Sequence, residues 1–312
     1  MFNIVQRRGL YYLISLSIII PGIVAMIYLT ATIGTPVRLS IDFKGGSLYT
    51  VKFQGETSET AIREVYTRFG QPDAIIQRLG PAGDNTWEIR AGAFTPDQQA
   101  AVKDALSTLA PIDTSQSVFD VVDPAIGGEV TTAAIFATIA AGVIILGFIS
   151  WAFGKVPNAA RYGVCAVIAM FHDVFVALGV MAILGIFLKW EVDALFLTAM
   201  LTVVGFSVQD TIVVFDRIRE NAPKYRGEPF EVIVNRSMME TLHRSLAIAL
   251  NAAFVLLAIL LFGGATVKQF IAILLIGLTS GTYSSIFNAV PLLVSWDKGE
   301  IPFVNQQNKV LA

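Results

Sequence analysis

Six long apolar runs dominate the chain: Tyr11–Ile33, Val130–Phe153, Val164–Leu188, Val192–Phe215, Leu246–Phe262 and Phe270–Trp296. A helix needs roughly 20 mostly apolar residues to cross a bilayer, so the runs predict six transmembrane helices. The first follows Arg7 and Arg8, as a signal peptide would. Its run outlasts the roughly 7–15 residues of a signal h-region, however, and no small-x-small cleavage site follows. It reads as an uncleaved first span, and Pro21 within it predicts a kink.

Between the first two runs the pattern shortens its period. Arg38–Phe53 alternates with β-rich residues around Gly45-Gly46, and Ala74–Leu79 and Thr86–Arg90 read as strands joined by a turn rich in Gly, Pro, Asp and Asn. Ser58–Phe69 reads as an amphipathic helix with Ala61, Val65 and Phe69 on one face. Thr95 is a good N-cap and Pro96 fits the first helical position, opening a helix to about Leu109. Gln116–Val122 is a last strand. The order βαββαβ predicts a ferredoxin-like α+β domain.

Charge gives these elements sides. Twelve Lys and Arg residues fall in the N-terminal tail (Arg7, Arg8), the second-to-third loop (Lys155, Arg161), the fourth-to-fifth loop (Arg217, Arg219, Lys224, Arg226, Arg236, Arg244) and the C-terminal tail (Lys298, Lys309). The alternate short loops carry two, Lys189 and Lys268. The positive-inside rule puts both termini in the cytoplasm. The expected organisation is a tail and first helix over 1–33, an extracytoplasmic domain over 34–129, a five-helix bundle over 130–296 with a cytoplasmic amphipathic loop at 216–245, and a tail over 297–312. The charged residues of 216–245 are interspersed with Phe230, Val232, Ile233 and Met238, predicting one or two short helices at the membrane surface.

Composition agrees. The 312 residues are 54% apolar and 15% charged, against about 45–50% and about 25% in a soluble domain. Of 46 charged residues, 20 lie between Arg38 and Asp123. A net charge of −2 points to no nucleic acid. A single cysteine, Cys165, leaves neither an internal disulfide nor a cysteine metal site. No cofactor motif appears. From Gly147 to Gly154-Lys155 six residues separate the glycines where a phosphate loop has four, and Val156 follows where Ser or Thr is needed. The two histidines are 71 positions apart.

Ionisable groups inside the spans are few, and intramembrane charges face a bundle interior and carry function by default. Asp173, beside His172, lies in the third span; Asp210 lies in the fourth; Arg244 opens the fifth. At about 1.5 Å per residue, Asp173 lies roughly 14 Å and Asp210 roughly 8 Å from the cytoplasmic face, with Arg244 at that face. The three suggest a ladder in which Arg244 is a fixed counter-charge and the carboxylates load and release protons. Ser207, Asp210 and Thr211 share a helix face, and Gly277, Ser280, Gly281, Ser284, Ser285 and Asn288 form a small-residue stripe. Such a stripe lets helices approach closely, and packing explains it better than a conduit.

Several segments resemble the SecF branch of the SecD/SecF family of bacterial protein-export membrane proteins. Ile41-Asp42-Phe43-Lys44-Gly45-Gly46 is similar to its signature, in which Phe43 favours SecF over SecD. Val204–Asn221 resembles the fourth-span motif, Phe171-His172-Asp173-Val174 the third-span motif, and Thr241-Leu242-His243-Arg244-Ser245 the Thr-Leu-x-Arg-Thr stretch with Ser245 for Thr. The resemblance implies a subunit that pairs with SecD in the bacterial inner membrane and belongs to the resistance-nodulation-division superfamily. It further implies work with the SecY–SecE–SecG channel, indirectly with SecA, alongside YajC and YidC. A proton or sodium gradient would drive late steps of export of an unfolded polypeptide. It assigns coupling to Asp210 and Arg244, with Asp173 less clearly placed.

Three other readings compete. A small-molecule or lipid exporter of the same superfamily would be a much longer chain with two large outer domains. An intramembrane aspartyl protease would need Gly-x-Gly-Asp, whereas Ser207-Val208-Gln209 precedes Asp210, and no other feature points to an enzyme. A passive scaffold would leave proton flux indifferent to Asp210.

Overall fold

The computed structural model describes residues 4–72, 74–80, 83–153 and 159–301; Lys155, Lys309 and the tail past residue 301 lie outside them. Two compact units result. One is helical and comprises Met1–Arg38, Ala137–Trp190 and Leu195–Ala312; the other comprises Leu39–Phe136 and Glu191–Ala194.

Among the described residues, six helical stretches are long and apolar enough to cross a membrane. They are α1 (Arg8–Ile33), α5 (Pro124–Ala152), α6 (Ala159–Phe187), α7 (Ala194–Lys224), α8 (Phe230–Phe262) and α9 (Ala265–Ser284) with its continuation α10 (Val290–Asp297). The α1 helix runs unbroken through Pro21. Residues 216–245, expected as a cytoplasmic amphipathic loop forming one or two short surface helices, are largely helical, but as the end of α7 and the start of α8 rather than as separate helices. At about 1.5 Å per residue, these 31- and 33-residue helices reach about 46–50 Å, well past a roughly 30 Å hydrocarbon layer. Their polar ends project together, and only Tyr225–Pro229 separate them. Ile233 and Met238 are buried as part of α8 rather than laid on a surface.

Glycines set the helix crossings. A Cβ on Gly22 of α1 would stand 2.7 Å from the Cα of Gly179 in α6, so the two backbones touch. A Cβ on Gly277 of α9 would meet the Val203 side chain of α7 at 2.1 Å, and one on Gly281 would meet Ser207 Cβ at 3.1 Å. Small residues permit this approach where lipid offers no hydrophobic drive. Between α9 and α10 the helix widens into a π-helical turn over Ser285–Ala289. It ends two residues before Pro291, whose missing N–H and ring disfavour regular α-helical pairing with the preceding turn.

The second unit contains a single turn α2 (Ile41–Lys44), strands β1 (Gly46–Lys52), β2 (Ile75–Leu79), β3 (Thr86–Ala91) and β4 (Val118–Val122), and helices α3 (Glu59–Arg68) and α4 (Pro96–Leu109). The sheet order is β2-β3-β1-β4, with each neighbouring pair antiparallel. Tyr49, Val51, Trp87 and Ile89 on one face of the sheet form a core with Ile62, Tyr66, Val102 and Leu106 from the helices. Ser58 caps α3, and Thr95 with Gln98 forms a capping box on α4 behind Pro96. Two local expectations shift. The buried face of α3 is Ile62, Val65 and Tyr66 rather than Ala61, Val65 and Phe69. The strand expected from Arg38 starts only at Gly46, because Ser40 caps the α2 turn by accepting from the Asp42 N–H.

Candidate functional site

The helical unit closes around Asp173. Its carboxylate is fully buried and takes hydrogen bonds from three helices. Ser207 Oγ of α7 and Ser284 Oγ of α9 each donate to Oδ2 at 2.6 Å. Ser280 Oγ of α9 donates to Oδ1 at 2.7 Å, and His172 Nδ1 lies 3.0 Å from the same oxygen. An ionised carboxylate has about four acceptor sites and no donor, and here three hydroxyl donors and the His172 ring nitrogen meet it. Ser280 and Ser284 reach it together because they are four apart on α9. Ser207 reaches it because Gly281 leaves no Cβ between the helices. His172 is the only basic side chain within ion-pair distance of Asp173 among the described residues.

The other expected residues separate. Thr211 is buried and turns its hydroxyl back to the Ser207 carbonyl at 2.9 Å. Asp210 sits half-buried on the flank toward α8, with the Ser245 side chain beside its carboxylate. It lines a small pocket with Phe206, Ile248, Leu278 and Thr282. Arg244 is exposed and forms no ion pair among the described residues, so in this conformation it does not join Asp210 and Asp173 in a ladder. Asn288 exchanges hydrogen bonds with Ser15 of α1 at 2.8 and 3.0 Å and is not part of the Asp173 shell.

Sequence reasoning read Ser280 and Ser284 as packing and overlooked Ser245 except as a motif variant. The available signal was the i, i+4 spacing of hydroxyls on one span opposite a lone carboxylate on another. It also missed a polar cluster where α7 meets α8. There Asn221 Nδ2 donates to Ser237 Oγ at 3.0 Å and to Glu240 Oε2 at 2.9 Å, and Arg217 Nε donates to the same carboxylate at 2.5 Å.

In the second unit the glycine pair shapes a turn. Gly45 and Gly46 have φ of 73° and 139°, backbone that residues with a Cβ avoid. A Cβ on Gly46 would meet the Ala91 carbonyl oxygen at 2.6 Å. The turn fixes Asp42, whose Oδ2 accepts from the Ala194 N–H at 2.9 Å, at the first residue of α7. Beside it Glu191, almost fully buried, pairs with Arg90 at 3.0 Å and Lys44 at 3.7 Å.

Six spans, an inserted α/β unit and a hydroxyl-lined carboxylate in the bundle define a polytopic helical membrane protein with a polar intramembrane site. Known families match it. The C-terminal family of the protein export membrane proteins SecD/SecF matches residues 101–299, and the SecD/SecF GG motif matches residues 30–56. The chain is 46% identical to the protein translocase subunit SecF of Anaerolinea thermophila, with 96% of each chain covered. It is 43% identical to that of Thermobaculum terrenum, with 95% of this chain and 94% of the relative covered. The crystal structure of SecDF, a translocon-associated membrane protein from Thermus thermophilus, superimposes with a TM-score of 0.78 at 27% identity. The chain covers only 39% of that longer chain, which in turn covers 95% of this one. The chain belongs to the SecD/SecF family of protein export membrane proteins.

Proposed function

We propose that this chain acts as a SecF subunit, pairing with SecD in the bacterial inner membrane beside the SecY–SecE–SecG channel. There it uses an ion gradient to draw exported polypeptide outward after SecA has driven it in. The Lys and Arg asymmetry supports cytoplasmic termini and an extracytoplasmic α/β unit, and the all-antiparallel β2-β3-β1-β4 order supports a ferredoxin-like fold for that unit. The observation that carries the reading is the Asp173 shell. A proton added to this carboxylate turns an acceptor into a donor, so at least one serine hydroxyl has to rotate and accept. Because the serines sit on α7 and α9 while Asp173 sits on α6, protonation rearranges contacts among three helices. Asp210, with one serine beside it, is the candidate for proton exchange, and Arg244 is the candidate fixed charge once the bundle moves.

The scale suffices. One charge crossing 100 mV releases about 2.3 kcal/mol, enough to bias a two-state element by roughly fiftyfold at about 1.4 kcal/mol per decade. The test is Asp210→Asn in vesicles containing the channel, SecD and this chain. Loss of gradient-stimulated export with normal membrane insertion is expected, and undiminished stimulation would overturn the assignment.

A further inference from the structure

A groove of about 400 Å³ runs between α1, α6 and α9 in the helical unit, beside the Asp173 shell. Its walls are aliphatic: Ile14, Ile18, Val176, Val180, Leu275 and Ile276. Its polar floor is His172, Thr279, Ser280 and Tyr283. The His172 side chain is 10% exposed, and its Nε2 is buried with no partner among the described residues.

The hydrogens of this floor are already committed. Thr279 Oγ1 donates to the Leu275 carbonyl at 2.8 Å, Ser280 Oγ to Asp173 at 2.7 Å, and the Tyr283 hydroxyl to the Tyr11 carbonyl at 2.8 Å. His172 Nδ1 lies 3.0 Å from Asp173 Oδ1; a neutral ring that donates there keeps its hydrogen on Nδ1, and its Nε2, on a side chain that lines the groove, is then an acceptor. An orphaned lone pair is tolerated there better than an orphaned N–H. What remains are acceptors only, backed by a buried carboxylate. The complementary ligand therefore carries one hydrogen-bond donor on an aliphatic body. A hydroxyl suits better than an ammonium, because an apolar wall makes burial of a charge far more costly than burial of a bonded hydroxyl.

Depth selects the source. His172 lies 13 residues into the 29-residue α6, about 20 Å from that helix end at 1.5 Å per residue, near the middle of the span. A phospholipid headgroup stays at the interface and does not reach it, whereas an alcohol dissolved in the acyl layer does. We infer that the groove between α1, α6 and α9 is a binding site for a lipid-phase aliphatic alcohol whose hydroxyl donates to His172 Nε2. Binding itself is independent of the export reading. Its consequence rests on that reading: a bound alcohol ties α1 to the helices that hold Asp173 and hinders their rearrangement.

The experiment is photolabelling of the full chain, reconstituted with SecD in nanodiscs, by a diazirine-bearing octanol and by its methyl ether. Mass spectrometry then locates the adducts. The alcohol is expected to label Ile14, Val176 or Ile276, to be competed by unmodified octanol, and to exceed the ether at least fivefold. His172→Phe is expected to remove that preference. Val180→Trp fills the groove while keeping the His172–Asp173 bond, and it is expected to abolish labelling, which covers the case in which His172→Phe does not fold. Equal labelling by alcohol and ether, or labelling undiminished by Val180→Trp, would show acyl-layer filling only and overturn the proposal. Full export by Asp210→Asn would instead overturn the coupling reading and leave the labelling untouched.

Discussion

The charge on Asp173 has a measurable consequence. In Asp173→Asn the shape is kept, but one carboxylate oxygen becomes an NH₂ donor. Placed at Oδ2 it faces the hydroxyls of Ser207 and Ser284; placed at Oδ1 it faces Ser280 and His172. Either orientation gives up two hydrogen bonds to a charged group, each worth about 1.5–3 kcal/mol, and regains up to two neutral ones, each worth about 0.5–1.5 kcal/mol, where a partner turns to accept. The expected net cost is thus about 2–3 kcal/mol at the centre of those ranges. If Asp173 were instead held protonated, it would already present a donor at one oxygen, and the amide would replace it for under about 1 kcal/mol. Unfolding in mixed micelles at neutral pH, followed by pulse proteolysis, measures the difference. Ser280→Ala alone removes one bond, for about 1.5–3 kcal/mol. Combining it with Asp173→Asn completes a double-mutant cycle, whose coupling is expected to be substantial for residues in contact. A loss under about 1 kcal/mol for Asp173→Asn would refute the account of a buried carboxylate held by charge-assisted hydrogen bonds.

Other consequences are more local. Gly22→Leu places a side chain against the Gly179 backbone, where even a Cβ stands at 2.7 Å; overpacking of about 1–3 kcal/mol is expected as a lowered melting temperature, whereas Gly9→Leu, with open space around it, leaves melting unchanged. Thr95→Ala breaks the capping box of α4 at about 1 kcal/mol and is expected to speed amide exchange in its first turn about fivefold. Hydrogen bonding from Arg8 holds the Glu300 carboxyl below its usual range, so its contribution is present above the ordinary carboxylate pKa and lost as pH falls through the lowered folded value. Amide exchange at residues 296–301 is expected to accelerate below about pH 4, and Arg8→Gln to remove that pH dependence.

The spans were legible because nothing but a helix buries so many consecutive apolar residues, and the α/β unit because period-2 runs alternate with caps at Ser58 and Thr95. What failed was partner choice. At about 100° per residue, Thr211 lies about 40° to one side of Ser207 and Asp210 about 60° to the other. A face that holds all three in a list therefore splits once α9 packs against Ser207. Thr211 goes inside, and Asp210 is left on the flank beside Ser245. On α3 the line Ala61–Val65–Phe69 is a valid helical stripe, but Ile62, Val65 and Tyr66 bury more apolar area and win the core. For residues 216–245 the short helices expected at the surface are instead continuous with the spans, because a helix that outruns the bilayer carries charge at its ends without breaking.

The two intramembrane carboxylates divide the work that a single titrating group would have to do alone, on the function proposed above. Asp210 has one serine beside it and an adjoining pocket, so a proton can arrive without disturbing α6 or α9. Asp173 has no free acceptor site and no exposed surface, so a proton there cannot arrive without moving them. Exchange and mechanical consequence thus sit on neighbouring turns of α7, where Ser207 serves one carboxylate and Asp210 is the other.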